Sequence, residues 1–208
     1  MSRETLICTI RHAQTAYGAE KRYAGTIDVP LNQTGIDEAR RASAMFLGTK
    51  FDVVVTSNLI RSIETARLLV GDSLPFVQTR LCNERNFGII QGLTWVEVQD
   101  LEPKILFIKV GGDLHSVNPK GAEPFEDLWL RSKKFKRFLF KEYMGLKILV
   151  VSHGVFLQMF HGVFRGLSCI ESLAVYPSNL ELNIFKYSGN TLVEEKTIKF
   201  NNTVEEQW

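Results

Sequence analysis

The chain has 208 residues, 45% of them hydrophobic and 23% charged, with a formal net charge of +2. That length and balance predict one folded domain with an ample apolar core, and the small net charge argues against a dedicated nucleic-acid binder, which carries a larger and clustered positive excess. Three cysteines, Cys8, Cys82 and Cys169, are far apart among apolar neighbours, a pattern that excludes a disulfide framework or a zinc site and suits reduced thiols in a cytoplasmic protein.

Thr5 to Ile10 are mostly apolar or β-branched and predict a buried strand, which stops abruptly at Arg11-His12. In open α/β sheets ligands bind outside the carboxyl ends of the strands, so this pair is expected at the mouth of a site. The polar stretch from Ala13 to Gln33, with Tyr17, Lys21, Arg22 and Tyr23, reads as a binding loop. Thr34 is placed to cap a helix whose Ile36, Ala39, Ala42 and Phe46 share one face, ended by Gly48. Phe51 to Thr56 predict a second strand, and Ser57 or Asn58 caps a helix with an apolar stripe through Leu59, Ile63, Ala66 and Leu69. Arg61 falls in its first turn, pointing to the same crevice edge.

A third strand, Pro75 to Thr79, leads into Leu81 to Gly92, a glycine-containing loop that carries Glu84. Trp95 to Leu101 read as a helical turn or two broken by Pro103, and Gly111-Gly112 with Asn118-Pro119 as an exposed loop. Glu123 to Tyr143 form a clearer helix, its Arg131, Lys133, Lys134, Lys136, Arg137 and Lys141 read as a solvated face. Leu146 to Ser152 is the second strongly buried strand, and it too ends in histidine, Ser152-His153-Gly154. The helix from Val155 to Phe164 follows; Lys147, His153, Gln158 and His161 interrupt this longest apolar stretch, so no membrane span is expected. Leu180 to Tyr187 and Thr191 to Phe200 predict a closing hairpin, and Asn201 to Trp208 a loosely held polar tail.

Two guanidinium groups, two imidazoles and one carboxylate thus converge on one crevice. Arginine forks match phosphoryl oxygens bidentately. A neutral imidazole can attack phosphorus while a second, protonated one holds the equatorial oxygens. Glu84 can donate a proton to a leaving alkoxide and later take one from water. No carboxylate cluster is available for a divalent ion, so neither metal nor other cofactor is expected.

Arg11-His12-Ala13-Gln14-Thr15, Leu59-Ile60-Arg61-Ser62, Leu81 to Gly92 with Glu84, and Ser152-His153-Gly154 resemble, in order and spacing, the four signatures of the histidine phosphatase superfamily, the phosphoglycerate-mutase-like proteins. The resemblance implies an α/β fold: a mixed, mainly parallel sheet flanked by helices, with a helical lid insertion at about residues 86–145 in a single domain of residues 1–208. It implies His12 as phosphorylated nucleophile, Glu84 as proton donor, and Arg11, Arg61 and His153 as the phosphate pocket. Thr15, Gly18, Tyr23, Ala24, Gly25, Arg85 and Gly154 complete the expected substrate-binding set. Departures are Ala13 where the family usually has glycine, Gly18 where an asparagine often contacts phosphate, and Trp95 where the mutases place a lysine.

With the mutases' paired arginines also lacking counterparts among residues 100 to 118, a pocket for a second anion looks depleted. The leading expectation is therefore a metal-independent phosphomonoesterase of a small phosphorylated metabolite. A cofactor-dependent phosphoglycerate mutase and a non-catalytic phosphate-binding module are the alternatives. The lid argues against a bulky protein substrate, and exposed edge strands leave a homodimer open.

Overall fold

β1 (Glu4–Arg11) runs through the middle of a six-stranded sheet. A computed structural model describes residues 4–200; the polar tail from Asn201 onward lies outside them. The sheet order is β3 (Phe76–Gln78), β2 (Val53–Thr56), β6 (Lys147–Ser152), β1, β7 (Leu182–Ser188), β8 (Thr191–Ile198). The first four are parallel and the last two antiparallel to their neighbours, a mixed, mainly parallel sheet flanked by helices.

Side-chain alternation divides the core between the two faces of the sheet. Cys8 and Ile10 of β1 pack with Val54, Leu149 and Val151 against α2 (Gln33–Ala42) and α3 (Ile60–Val70). Ile7 packs with Val53, Val55, Ile148 and Val150 against α5 (Phe125–Tyr143) and α6 (Gly154–Arg165). Phe135 of α5 sits 5.6 and 4.9 Å from the Phe156 and Phe160 rings of α6. Burying such a ring contributes roughly 2–3 kcal/mol, which fixes α5 as a layer of the core.

Several local expectations change. The binding loop contains a short helix, α1 (Ala16–Ala19), and the cap of α2 is Asn32, whose side chain accepts from Gly35 N–H. The start of α3 is held from outside: Ser57 Oγ accepts from Leu59 N–H and Asp28 Oδ1 from Ile60 N–H. After α4 (Trp95–Gln99), residues expected as loop pair as β4 (Phe107–Val110) and β5 (Asp113–Ser116). Gly111-Gly112 forms the two-residue turn; Gly111 has φ of +61°, and a Cβ there would lie 2.3 Å from the Ala174 carbonyl oxygen. The segment 86–145 therefore combines a hairpin and a short helix with core helix α5. The basic residues of α5 are not all solvated: Arg131 binds the Leu81 and Asn83 carbonyls and pairs with Glu123, and the ammonium of Lys133 lies 3.1 Å from the centre of the Trp129 ring.

Candidate active site

The β1–β6 ladder continues one residue past the strand end, His12 N–H bonding the Ser152 carbonyl at 2.9 Å. This brings the His12 and His153 rings to 5.1 Å between centroids. His12 Nδ1 lies 2.7 Å from the Ala13 carbonyl oxygen. A carbonyl only accepts, so Nδ1 holds the ring's proton and Nε2 keeps its lone pair. Burial above all, then the Arg61 and Arg11 guanidiniums, hold the His12 pKa well below its ordinary value, so the ring is neutral. Ala13 is fully buried and is not among the residues with positive φ, so its methyl causes no strain.

His153 is held by two side chains of the neighbouring strand-to-helix connection and helix start. Its Nδ1 accepts from Arg61 Nε–H at 3.2 Å, and its Nε2 bonds Ser57 Oγ at 2.7 Å. Both ring nitrogens are engaged by the protein, and burial followed by the Arg61 charge holds its pKa well below the ordinary value. In this structure the ring is neutral and sits between Arg61 and Ser57. Arg61 also donates from Nη1 to the Ile27 carbonyl at 2.8 Å and from Nη2 to the Gly25 carbonyl at 2.7 Å. Each Nη thus keeps one further N–H for a ligand. Arg11 lies over the Tyr176 ring at 4.9 Å and donates to the Pro177 carbonyl, while its buried Nε has no partner.

Glu84 arrives from the loop after β3. Its Oε1 accepts from Arg85 N–H and Phe156 N–H, its Oε2 from Val155 N–H at 3.1 Å. The carboxyl group is thereby seated on the N-terminus of α6. Arg131, reaching from α5 to the carbonyls of residues 81 and 83, holds this loop in place.

These groups open onto a cavity of about 330 Å³ lined by Arg11, His12, Arg61 and Glu84. Of the other expected contacts, Thr15, Gly18, Tyr23, Ala24, Gly25 and Arg85 also line it, whereas His153 and Gly154 do not. Arg85 is stacked on the Phe125 ring at 3.8 Å and donates to the Glu123 and Ser116 carbonyls; burial pulls its pKa down to about 10.

A residue the sequence did not reveal, Tyr176, lines the same cavity. It belongs to no motif; the one signal was Gly154, whose missing side chain makes room for it. A Cβ on Gly154 would lie 2.0 Å from the Tyr176 hydroxyl oxygen and 2.4 Å from Cζ. Gly154→Ala must therefore push the ring from under Arg11. Overpacking of this kind costs about 1–3 kcal/mol, an effect expected in urea unfolding midpoints, and unchanged stability would show that the ring relocates freely.

This α/β fold thus opens one strand-end histidine and two arginines onto one cavity, with the second strand-end histidine packed beside the first. Residues 7–198 match the histidine phosphatase superfamily (branch 1), and the chain belongs to that superfamily. It is 28% identical over 199 residues to the 2,3-bisphosphoglycerate-dependent phosphoglycerate mutase of Rhizobium etli, covering 90% of this chain and 93% of the relative. It is 30% identical over 212 residues to the enzyme of the same name from Methylorubrum extorquens, covering 94% and 95%. The structure of the alpha-ribazole phosphatase from Shigella flexneri superposes with a TM-score of 0.77 at 22% identity, covering 95% of this chain and 96% of that one; this likeness concerns the fold. Among the described residues no helix is long and apolar enough to cross a membrane.

Proposed function

We propose that the protein is a metal-independent phosphomonoesterase that hydrolyses a small phosphorylated metabolite through a phosphohistidine. The observation that carries this reading is the His12 ring, neutral, with its proton parked on Nδ1 against Ala13 and its Nε2 free beside two arginines. Nε2 attacks phosphorus and the P–O ester bond breaks, with the departing alkoxide taking a proton from Glu84. Arg11 and Arg61 hold the charge on the phosphoryl oxygens throughout. Water then attacks the phosphohistidine, giving its proton to Glu84, and inorganic phosphate leaves with His12 restored.

Phosphoglycerate mutase is the second reading, supported by the names of the two relatives at 28% and 30% identity. Against it stands Trp95 at the cavity wall where the resemblance places a lysine. The deciding measurement is phosphate release from a panel of phosphomonoesters in EDTA, with 3-phosphoglycerate assayed with and without its bisphosphate. Release that survives chelation supports the phosphatase; isomerisation without release makes the protein a mutase.

Glu84→Gln tests the proton donor. The loss is expected to reach about 10²–10³-fold for alkyl phosphates and to stay within about tenfold for nitrophenyl phosphate, whose leaving group needs little protonation. Equal losses on both would remove Glu84 from that role.

A further inference from the structure

The cavity is also lined by Trp95 and by the β4–β5 hairpin, and this part of its lining carries chemistry that phosphoryl transfer does not use. Asp113 is part of this lining; it acts electrostatically on His115, and no hydrogen bond or ion pair to its carboxylate occurs among the described residues. Beside it His115 is 5% exposed, and its Nε2 is buried without a hydrogen-bond partner. Of the basic groups that line the cavity, Arg22 is paired with Glu20 and Glu97, and Arg85 has Nε and Nη1 on backbone carbonyls while its buried Nη2 has no partner; Lys21 lines it as well. His115 Nε2 is buried hydrogen-bonding capacity that the protein itself leaves unmet, and buried polar atoms of this kind are ordinarily satisfied by something; the half-buried Asp113 carboxylate has no protein partner and is open to a ligand or to water.

With a phosphoryl group at the arginines, the alcohol part of an ester would occupy the rest of the cavity, which this hairpin helps to line. We propose that Asp113 is a specificity-determining residue that accepts a hydrogen bond from a hydroxyl or ammonium group on the alcohol part, and so selects phosphoesters of neutral or cationic alcohols over those bearing a second anion. The inference rests on the phosphomonoester reading and names its substrate class. A second carboxylate placed here faces Asp113 with like charge, while a hydroxyl satisfies it, so discrimination arises from repulsion as well as attraction.

Glycerol 3-phosphate and 3-phosphoglycerate differ at one carbon, hydroxymethyl against carboxylate, and make a matched pair. Their dissociation constants, measured by calorimetry on His12→Ala protein to prevent turnover, are expected to favour glycerol 3-phosphate by about tenfold, a ratio that Asp113→Asn brings close to one. Tighter or equal binding of 3-phosphoglycerate, a ratio unmoved by Asp113→Asn, or no binding of either ester at millimolar concentration would overturn the proposal. Phosphate release from nitrophenyl phosphate by the wild-type protein, run in parallel, reports separately on the phosphatase reading. Release together with an inverted ratio defeats only Asp113; no release together with the expected ratio defeats only the hydrolytic step.

Discussion

Replacing His12 by alanine is expected to lower turnover by roughly 10⁴-fold or more, since loss of a covalent nucleophile removes the reaction path itself. The fold should survive, because His12 lies just past the end of β1 and its structural bonds are made by its backbone, N–H to Ser152 and carbonyl from the Asn179 side chain. The substitution also leaves Arg11 and Arg61 in place, so phosphate and vanadate should still bind. Two readouts separate nucleophile from bystander. Wild-type protein quenched in alkali during turnover should carry an alkali-stable, acid-labile phosphoryl group, and His12→Ala should carry none. Turnover above about 1% of wild type, or a phosphoryl group that persists in the variant, would move the covalent step to another residue.

Acid lability is the second large effect. All four histidines of the sequence are buried, and burial is in each the first cause of a lowered pKa: His12 and His153 fall well below the ordinary value, His115 falls, and His161 is brought to about 3. In the unfolded chain they titrate near 6.5. Below that pH the unfolded state binds protons that the native state refuses, so stability is full above about pH 6.5 and is lost as pH falls towards the native pKa values. Each histidine contributes a slope of about 1.4 kcal/mol per pH unit, and together they are expected to make the urea midpoint fall steeply between pH 6.5 and 5, above the range of ordinary carboxylates. His161 allows a clean check, because it bonds Thr9 Oγ1 across the core and faces no substrate. His161→Gln should reduce the slope by about one proton. A midpoint that is flat over this interval would mean that the imidazoles become protonated without unfolding.

Much of the site was legible because strand ends and helix starts bring chemistry to one edge of a parallel sheet. Arg11-His12 and Ser152-His153 read as a matched pair, and the pairing of Arg11 with Ser152 in the β1–β6 register places them side by side. Arg61 and Glu84 were legible from their positions after β2 and β3. What escaped was whatever depends on contacts distant in sequence. Asp28 supporting the start of α3 cannot be inferred from residues 57 to 60, and Tyr176 has no local signal. The partners of the two His153 ring nitrogens, Arg61 and Ser57, were hidden in the same way. The β4–β5 hairpin was missed for a different reason. Its strands are four residues each and lack clear alternation, so Gly111-Gly112 read as loop punctuation although a glycine pair between short strands is also a hairpin turn.

The central β1–β6 pairing joins residues 6–11 to residues 147–152, and it carries a kinetic consequence. Closing so long a loop costs entropy before any contact repays it, and topologies dominated by such pairings fold slowly. The two imidazoles meet only after the chain has wound through β2, β3 and both flanking layers. Catalytic competence is therefore a property of the finished sheet: during refolding, helical signal should recover ahead of activity, and a nascent chain that stops short of β6 holds the nucleophile but no site around it.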